Sequence, residues 1–433
     1  MPRTRRLLRD EEMTYSIAKE QESRFFAHIQ ERQEWMKAIA VHHLNLKSST
    51  LCHVAGQEDW SHGGFNVGIP ITVDGCNKRV LMRFPLPYRV GEAVQPGNSD
   101  EKIRCEAGSY AWLEENCADV PIPPLYGFGL SSGETFTRVE NLSILSRCVQ
   151  LLRRKILSFL GYPTPSSFVS HQTAHRVSDG MFNAGYLLVE FIEEAQGTML
   201  SDTWVHGQHD IKSHKFLPRY ISEYTYPTAD SYILDILAYH DSRFRNQPNA
   251  INDLGDCEYQ LSALSAMGTI FPCFFQRDYR RGPSCLVLTD LHQSNIFVDA
   301  EWNITCLVDL EWACSRPIEM INPPYWLTNK GVDQLDSAEY DAIRTEFMEI
   351  LAAEELALAP ATSSMVGNSG ILPQLSDVMN QTWSTRVYST NKYGEQFNLI
   401  MPFFWGKNIG SIAGRKLSDK GYDEKLRQAF EDN

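Results

Sequence analysis

The sequence predicts an α+β chain with strands in its first half, helices in its second, and an acidic hairpin set among those helices. Three observations predict it. From Leu51 to Ile192, short runs of β-branched and aromatic residues are separated by Gly, Pro and Asp turns. From Asp256 onward, apolar residues recur mostly at helical intervals. Between them in texture is Leu286–Ala313, LVLTDLHQSNIFVDAEWNITCLVDLEWA, whose apolar runs are parted by Asp and Asn.

Composition narrows the function classes. At 433 residues the length suits about two or three domains. A hydrophobic content of 43% and a charged content of 22% are ordinary for a chain with a sizeable core. The net charge of −14 and pI near 5.4 argue against nucleic acid or an anionic membrane as partner, and are compatible with a cationic small-molecule acceptor. The opening MPRTRRLLRDEE lacks an apolar core of signal-peptide length and turns acidic too early for a transit peptide, so a cytoplasmic protein is expected. The longest mostly apolar window, Asn398–Trp405, is too short to span a bilayer. Ten cysteines without a C-x-x-C pair read as reduced buried thiols, and neither they nor the pair His42–His43 have metal-ligand spacing.

The elements follow in order. From about Asp10 to Leu44, Ile17, Phe25, Ile29, Ala40 and Leu44 recur at near-helical intervals without Pro or Gly. Residues 1–50 are therefore a helical extension that packs on the strand-rich part, with a partner-binding arm as the other use. Ser61–Asn66, with Gly63, Gly64 and Phe65, is a glycine turn ahead of the run Val67–Val73. The turn Asp74–Asn77 joins that run to Arg79–Phe84 as a hairpin. Glu101–Cys117 is helix-like. An insertion at about 140–181 opens with an amphipathic helix, Leu142–Leu160, and continues as a Pro/Ser/His-rich loop through Val177. Gly185–Ile192 is a buried strand. Leu261, Leu264, Met267 and Phe271 form a helical stripe ended by Pro272, after which comes the charged turn Asp278–Pro283. Pro317, Pro323 and Pro324 mark irregular structure. Tyr340, Ile343, Phe347, Ile350 and Leu351 make another stripe, 357–370 a surface loop, and helix resumes from Ile371.

Within Leu286–Ala313, the loop Asp299–Asn303 turns Ile296–Val298 back on Ile304–Val308 as a short hairpin. Asp290 lies on the loop entering it, Asn295 five positions later, and Asp309 on the turn leaving it. Such a set suits phosphoryl transfer from a nucleotide: one carboxylate orients a hydroxyl and accepts its proton, while an amide and a second carboxylate offer oxygen ligands to Mg²⁺. The bland alternative is a buried hairpin with polar turn residues.

D-L-H-Q-S-N followed by L-V-D-L-E-W-A resembles the aminoglycoside phosphotransferase and choline-kinase-like family, whose loop reads roughly H-G-D-L-H-x-x-N and whose metal segment reads I-D-W/F-E. Ile318–Thr328, IEMINPPYWLT, resembles the fungal branch of that family. The likeness covers about residues 50–330. It implies a two-lobed protein-kinase-like fold, with a small nucleotide-binding lobe of antiparallel sheet over 51–192 and a large, mostly helical catalytic and acceptor-binding lobe over 193–433. It also implies Asp290 as catalytic base, Asn295 and Asp309 as Mg²⁺ ligands, and His292 as a residue that shapes the loop. Gly63, Gly64 and Phe65 would close over the phosphates. Arg83 would be the phosphate-binding cation on the third strand and Glu106 its partner, with Glu101 or a plain surface ion pair as alternatives. Val120–Gly129 resembles the segment leading into the fourth strand. Backbone groups from Glu190 to Ile192 would meet adenine at a hinge ending in Glu193–Glu194, and Tyr325 and Trp326 would wall the acceptor side.

Two departures stand out: Leu288 and Thr289 replace the His-Gly before the catalytic Asp, and Arg83 stands where most kinases have Lys. The resemblance implies an ATP- and Mg²⁺-dependent phosphotransferase with an alcohol group as acceptor. The alternative is a pseudokinase that binds nucleotide or a partner without turnover. A protein kinase is disfavoured, since D-F-G and A-P-E are missing.

Overall fold

The computed structural model describes residues 19–75, 78–93, 96–172, 185–193, 198–199, 226–246, separate positions between 255 and 268, and 271–273, 275–330, 336–362 and 373–387. The opening residues, the part of the insertion from 173 to 181, Glu194, Met267 and the 398–405 window lie outside these. Among the described residues no helix is long and apolar enough to cross a membrane. The chain divides into two compact units, 1–200 with 295–313, and 201–294 with 314–433.

In the first unit, the expected leading helix is two: residues 19–30 (α1) and Gln33–Leu44 (α2), separated by a turn at Glu31–Arg32. Arg32, at φ −108° and ψ 24°, leaves the helical region and breaks the run. Eight strands follow: β1 Cys52–Val54, β2 Ser61–His62, β3 Asn66–Val73, β4 Lys78–Pro85, β5 Leu125–Gly129, β6 Glu134–Arg138, β7 Phe168–Gln172 and β8 Tyr186–Glu190. They form one antiparallel sheet in the order β1-β3-β4-β8-β5-β6-β7, with β2 also paired to β3. The turn between β3 and β4 contains Gly75 at φ +84°, a conformation that side chains disfavour. Two further helices are α3, Asn98–Asn116, and α4, Ile144–Phe159.

Strand alternation sorts the two faces of the sheet. Val67, Ile69, Ile71 and Val73 of β3, Val80, Met82 and Phe84 of β4, and Tyr186 and Leu188 of β8 share a core with Phe25, Phe26 and Ile29 of α1 and Met36, Ile39 and Ala40 of α2. Helices α1 and α2 are therefore part of the core. Arg83 has the opposite parity in β4 and meets α3 on the other face.

In the last turn of α2, His43 is fully buried, with Nδ1 2.8 Å from Thr137 Oγ1 and Nε2 2.9 Å from the Tyr186 hydroxyl. Its ring occupies the space a Cβ on Gly127 would need, so that position requires glycine. Burial, reinforced by His42 and His171, holds its pKa well below the ordinary imidazole value.

The loop expected after α4 is corrected in part. Phe168–Gln172 is a sheet-edge strand, registered Phe136↔Ser170 and Arg138↔Phe168. The Phe168 ring sits 5.9 Å from Phe128, which stacks on Phe136 at 4.5 Å, so aromatic burial outweighs the turn-forming residues before it.

The hairpin Ile296–Val298/Ile304–Leu307 is antiparallel, with a register shift between Phe297 and Val298, and Thr198–Met199 adds a third strand. Asp299 Oδ1 closes its turn by accepting from the backbone N–H of Glu301 (3.0 Å) and Asn303 (2.8 Å).

The second unit contains the helices Ala229–Asn246, Ser337–Thr362 and Leu375–Val387, and a two-stranded pairing of Ser284–Leu288 with Ala313–Pro317. The described positions between 255 and 268 are helical. Of the loop expected over 357–370, residues 357–362 are instead helical, because the Ala- and Leu-rich run extends the helix to Thr362, and 363–370 lie outside the described residues. Within that helix Tyr340, Arg344 and Met348 are buried while Ile350 is exposed, which shifts the expected stripe by part of a turn.

Candidate nucleotide site

The site in the first unit is built by β3, β4, α3 and the end of the hairpin. Gly97, at φ +100°, starts α3, and Glu92 caps it by accepting from the N–H of Gly97 (2.6 Å) and Ser99 (2.7 Å). Asp100 in its first turn accepts from Ser131 N (2.7 Å) and Oγ (2.6 Å), which fastens the helix to the turn between β5 and β6. Lys102 and Glu106 follow four residues apart and so share one helix face.

Arg83 links three elements. Its Nη1 donates to Glu106 Oε1, and its Nη2 donates to Asp309 Oδ1 at 2.8 Å. Beside it, Lys102 Nζ contacts Glu311 Oε2, which also accepts from Asn66 Nδ2 at 2.6 Å and lies 3.9 Å from Arg83 Nη2. Two cations thus face three carboxylates, linking β3, β4, α3 and the segment after the hairpin.

Burial makes these charges interact strongly. Glu106 has no solvent exposure, and its Oε2 has no hydrogen-bond partner among the described residues. Burial pushes its carboxyl above the usual range, against the pull of Arg83 and Lys102. Burial alone would lower the Arg83 pKa, but Glu106 and Asp309 together hold it above its ordinary value. For Lys102 burial wins, bringing the ammonium down to about 8 against the attraction of Glu106 and Asp309.

Asn295 and Asp309 come to the same end of the hairpin. Ile296 registers with Leu307, and Val308 N donates to Asn295 O at 3.0 Å. Asn295 is buried, and Asp309 adopts the left-handed conformation at φ 61°, ψ 58°. One carboxylate and one amide fit the oxygen-donor preference of Mg²⁺, which takes few protein ligands and keeps waters and phosphate oxygens for the rest. Among the described residues no group of three or more His, Cys, Asp or Glu could hold a metal ion.

The glycine turn joins β2 to β3, with Gly63 N donating to Asn66 O at 2.9 Å. Among the described residues nothing lies within 4 Å of a Cβ built on Gly64, and neither glycine has positive φ, so open space distinguishes the turn. Phe65 packs edge-on against Trp312 at 5.8 Å. At the end of β8, the N–H of Glu190 donates to Pro124 O (2.9 Å) and that of Phe191 to Arg79 O (3.2 Å). Those two donors are committed, which directs any adenine contact by an N–H toward Ile192. The Glu190 side chain accepts from the Tyr126 hydroxyl at 2.9 Å, while Arg79 stacks on Phe191 and pairs with Glu193.

Asp290 belongs to the second unit, in a turn after Ser284–Leu288. That loop is tied to the segment expected to wall the acceptor. Trp326 Nε1 donates to Leu291 O at 2.5 Å, and Gln293 Nε2 donates to Trp326 O and Asn329 Oδ1, each at 3.0 Å. His292 Nδ1 lies 2.8 Å from Ser294 Oγ. Burial raises the Tyr325 hydroxyl pKa, and the Asp290 charge adds to the shift.

Sequence reasoning missed Lys102, Glu311 and Asn66. The four-residue step from Lys102 to Glu106 was the available signal for the lysine. Glu311 lay inside the motif that carried the family resemblance, but nothing in its spacing indicated a partner.

No family model matches the sequence, and no curated protein matches it. Among solved structures, the chain is similar to a macrolide 2'-phosphotransferase type I at 10% identity and a TM-score of 0.28, covering 87% of this chain and 90% of that one. It is also similar to a spectinomycin phosphotransferase in complex with ADP and spectinomycin, at 10% identity and a TM-score of 0.26, over 82% and 92%. Likenesses at that level assign neither fold nor activity, so the function proposed below rests on this chain's own residues.

Proposed function

We propose that the protein is a phosphotransferase that moves the γ-phosphoryl group of ATP, with Mg²⁺, to a hydroxyl of a small molecule. The observation that carries this is the buried Arg83–Glu106–Asp309 linkage beside an open glycine turn. A guanidinium fixed by a buried carboxylate can grip phosphate oxygens in a bidentate way. Glu106 holds Arg83 in place, Lys102 adds a second positive charge, and the Gly63–Gly64 turn lets backbone approach the phosphates closely. Ile192 offers its backbone to adenine. Asp290 orients the acceptor hydroxyl and takes its proton as the oxygen attacks the γ-phosphorus. The bond from that phosphorus to the bridging oxygen breaks, and ADP departs with the electron pair. Asp309 and Asn295 would hold Mg²⁺, which when bound neutralises charge on the phosphates. The net charge of −14 is compatible with a cationic acceptor such as an amino alcohol.

A second reading, nucleotide binding without turnover, draws support from Asp309 being already engaged by Arg83. One set of experiments separates the two. Thermal stability is followed with ATP, with and without Mg²⁺, for wild type, Asp309→Asn and Asp290→Asn, alongside ADP release in the presence of amino alcohols. For an enzyme, ATP with Mg²⁺ stabilises wild type and Asp290→Asn strongly and Asp309→Asn only weakly, and only wild type releases ADP. Stabilisation without any acceptor-stimulated ADP release across the alcohols favours the binding protein. No nucleotide response in wild type overturns both.

A further inference from the structure

The helix α4 bears an apolar face that none of the described residues covers. Leu145, Val149, Leu152, Ile156 and Phe159 recur at three- and four-residue steps along one side, and all are exposed, Leu145 at 82% and Phe159 at 91%. Its opposite side is the anchored one: Arg154 donates to Pro165 O at 2.5 Å and pairs with Glu115 at 3.3 Å. The helix contains Arg147, Arg153, Arg154 and Lys155 and no acidic residue, within a chain of net charge −14. Arg153 and Lys155 fall on either margin of the apolar face, so their stems can lie along it while the charged ends reach outward.

We propose that α4 lies flat on an anionic phospholipid surface, with its apolar face among the acyl chains and Arg153 and Lys155 at the headgroups. Apolar residues on one side with cations on the margins are the disposition of an interfacial helix. Overall acidity does not forbid this, since charges are screened beyond a Debye length of about 8 Å at physiological salt and the helix presents a local excess of positive charge. A second copy of the chain fits less well, because a two-fold contact would set four cations against four. A membrane supplies both the apolar layer and the negative charge.

The test uses the full chain and phosphatidylcholine vesicles with or without phosphatidylserine. Co-sedimentation is expected with the phosphatidylserine vesicles and should weaken with salt. Leu152→Glu with Ile156→Glu should abolish it. Arg153→Gln with Lys155→Gln should weaken it about thirtyfold, at roughly 1 kcal/mol for each charge. These side chains are exposed, so an unchanged unfolding temperature verifies that the variants fold. Failure of wild type to bind phosphatidylserine vesicles, or equal binding to neutral ones, overturns the proposal. So does a wild-type dimer in light scattering that the Leu152/Ile156 variant dissolves, because the face would then belong to a second copy.

Discussion

Replacing Arg83 with Met tests the centre of the site and separates its structural role from its chemical one. The substitution removes the guanidinium from Glu106, which has no solvent exposure, and from Asp309, which is partly exposed. Breaking a buried ion pair from one side costs about 3–5 kcal/mol. The lower end applies here, because Lys102 remains on the same helix face and Glu106 can take up a proton. At roughly 2–4 °C per kcal/mol for a unit of this size, the melting temperature should fall by about 6–12 °C. The loss should depend on pH. In the variant the folded-state pKa of Glu106 is raised still further, so its stability is fully present below the unfolded value of about 4.3 and is lost as pH rises. The gap to wild type should therefore be small near pH ~5 and widen toward pH ~8, at up to about 1.4 kcal/mol per unit. Changing both partners, Arg83→Met with Glu106→Met, should return stability to within about 1 kcal/mol of wild type, since apolar groups of similar volume replace a buried pair at little cost. That double variant should nevertheless show no stabilisation by ATP. Scanning calorimetry between pH 5 and 8, with and without nucleotide, measures all of these. A loss below about 1 kcal/mol for Arg83→Met with no pH slope would refute the buried linkage. A double variant that is stable and still responds to ATP would refute the role of Arg83 in binding phosphate.

Two further outcomes concern groups whose protonation the fold controls. Lys102 titrates at about 8, so nucleotide affinity should decline as pH rises through that value. In Lys102→Met the profile should be flat and the affinity about tenfold weaker at pH 7, from the loss of one charge-assisted contact; calorimetric titration reads both. His43 is held neutral by burial, so its contribution to stability is fully present above its unfolded pKa of about 6.5 and is lost as pH falls below it. By pH 5.5 the loss should approach about 1.4 kcal/mol, visible as a lower urea midpoint, and His43→Gln should remove that pH slope.

Legibility in the sequence followed the range of the interactions. The β3–β4 hairpin could be read because Asp74–Gly75 lies between two alternating runs, and the Ile296–Leu307 hairpin because Asp299 closes its own turn locally. The aromatic stack that makes Phe168–Gln172 a strand joins residues more than thirty positions apart and leaves no local trace. The break at Arg32 likewise has no Gly or Pro to announce it. At the site, Arg83 and Glu106 could be paired through the family resemblance. The contact of Lys102 with Glu311 spans 209 positions and depends on how α3 lies against the segment after the hairpin, which periodicity does not encode. Asp290 and Gln293 were legible as parts of one motif, while their companion Trp326 belongs to a proline-rich stretch without periodicity.

The closed charge pattern around Arg83 carries a consequence for ligand binding. Nη2 already donates to Asp309 at 2.8 Å, so a phosphate approaching Arg83 alone must displace a carboxylate. A cation approaching Asp309 alone must likewise displace a guanidinium. Each displacement breaks an ion pair of a partly buried charge, at a cost of a few kcal/mol. When both ligands arrive, the phosphate compensates Arg83 and the cation compensates Asp309, so the broken ion pair is offset on both sides. ATP and Mg²⁺ should therefore stabilise wild type by more together than the sum of their separate effects. The excess is a coupling free energy and must be the same whichever ligand is added first. Neutralising the carboxylate in Asp309→Asn should remove that excess while leaving a weak response to ATP alone, because Arg83 is then free to meet phosphate without competition. An equal response to ATP with and without Mg²⁺ in wild type would mean that the Arg83–Asp309 pair persists in the bound state, and that nucleotide is held elsewhere.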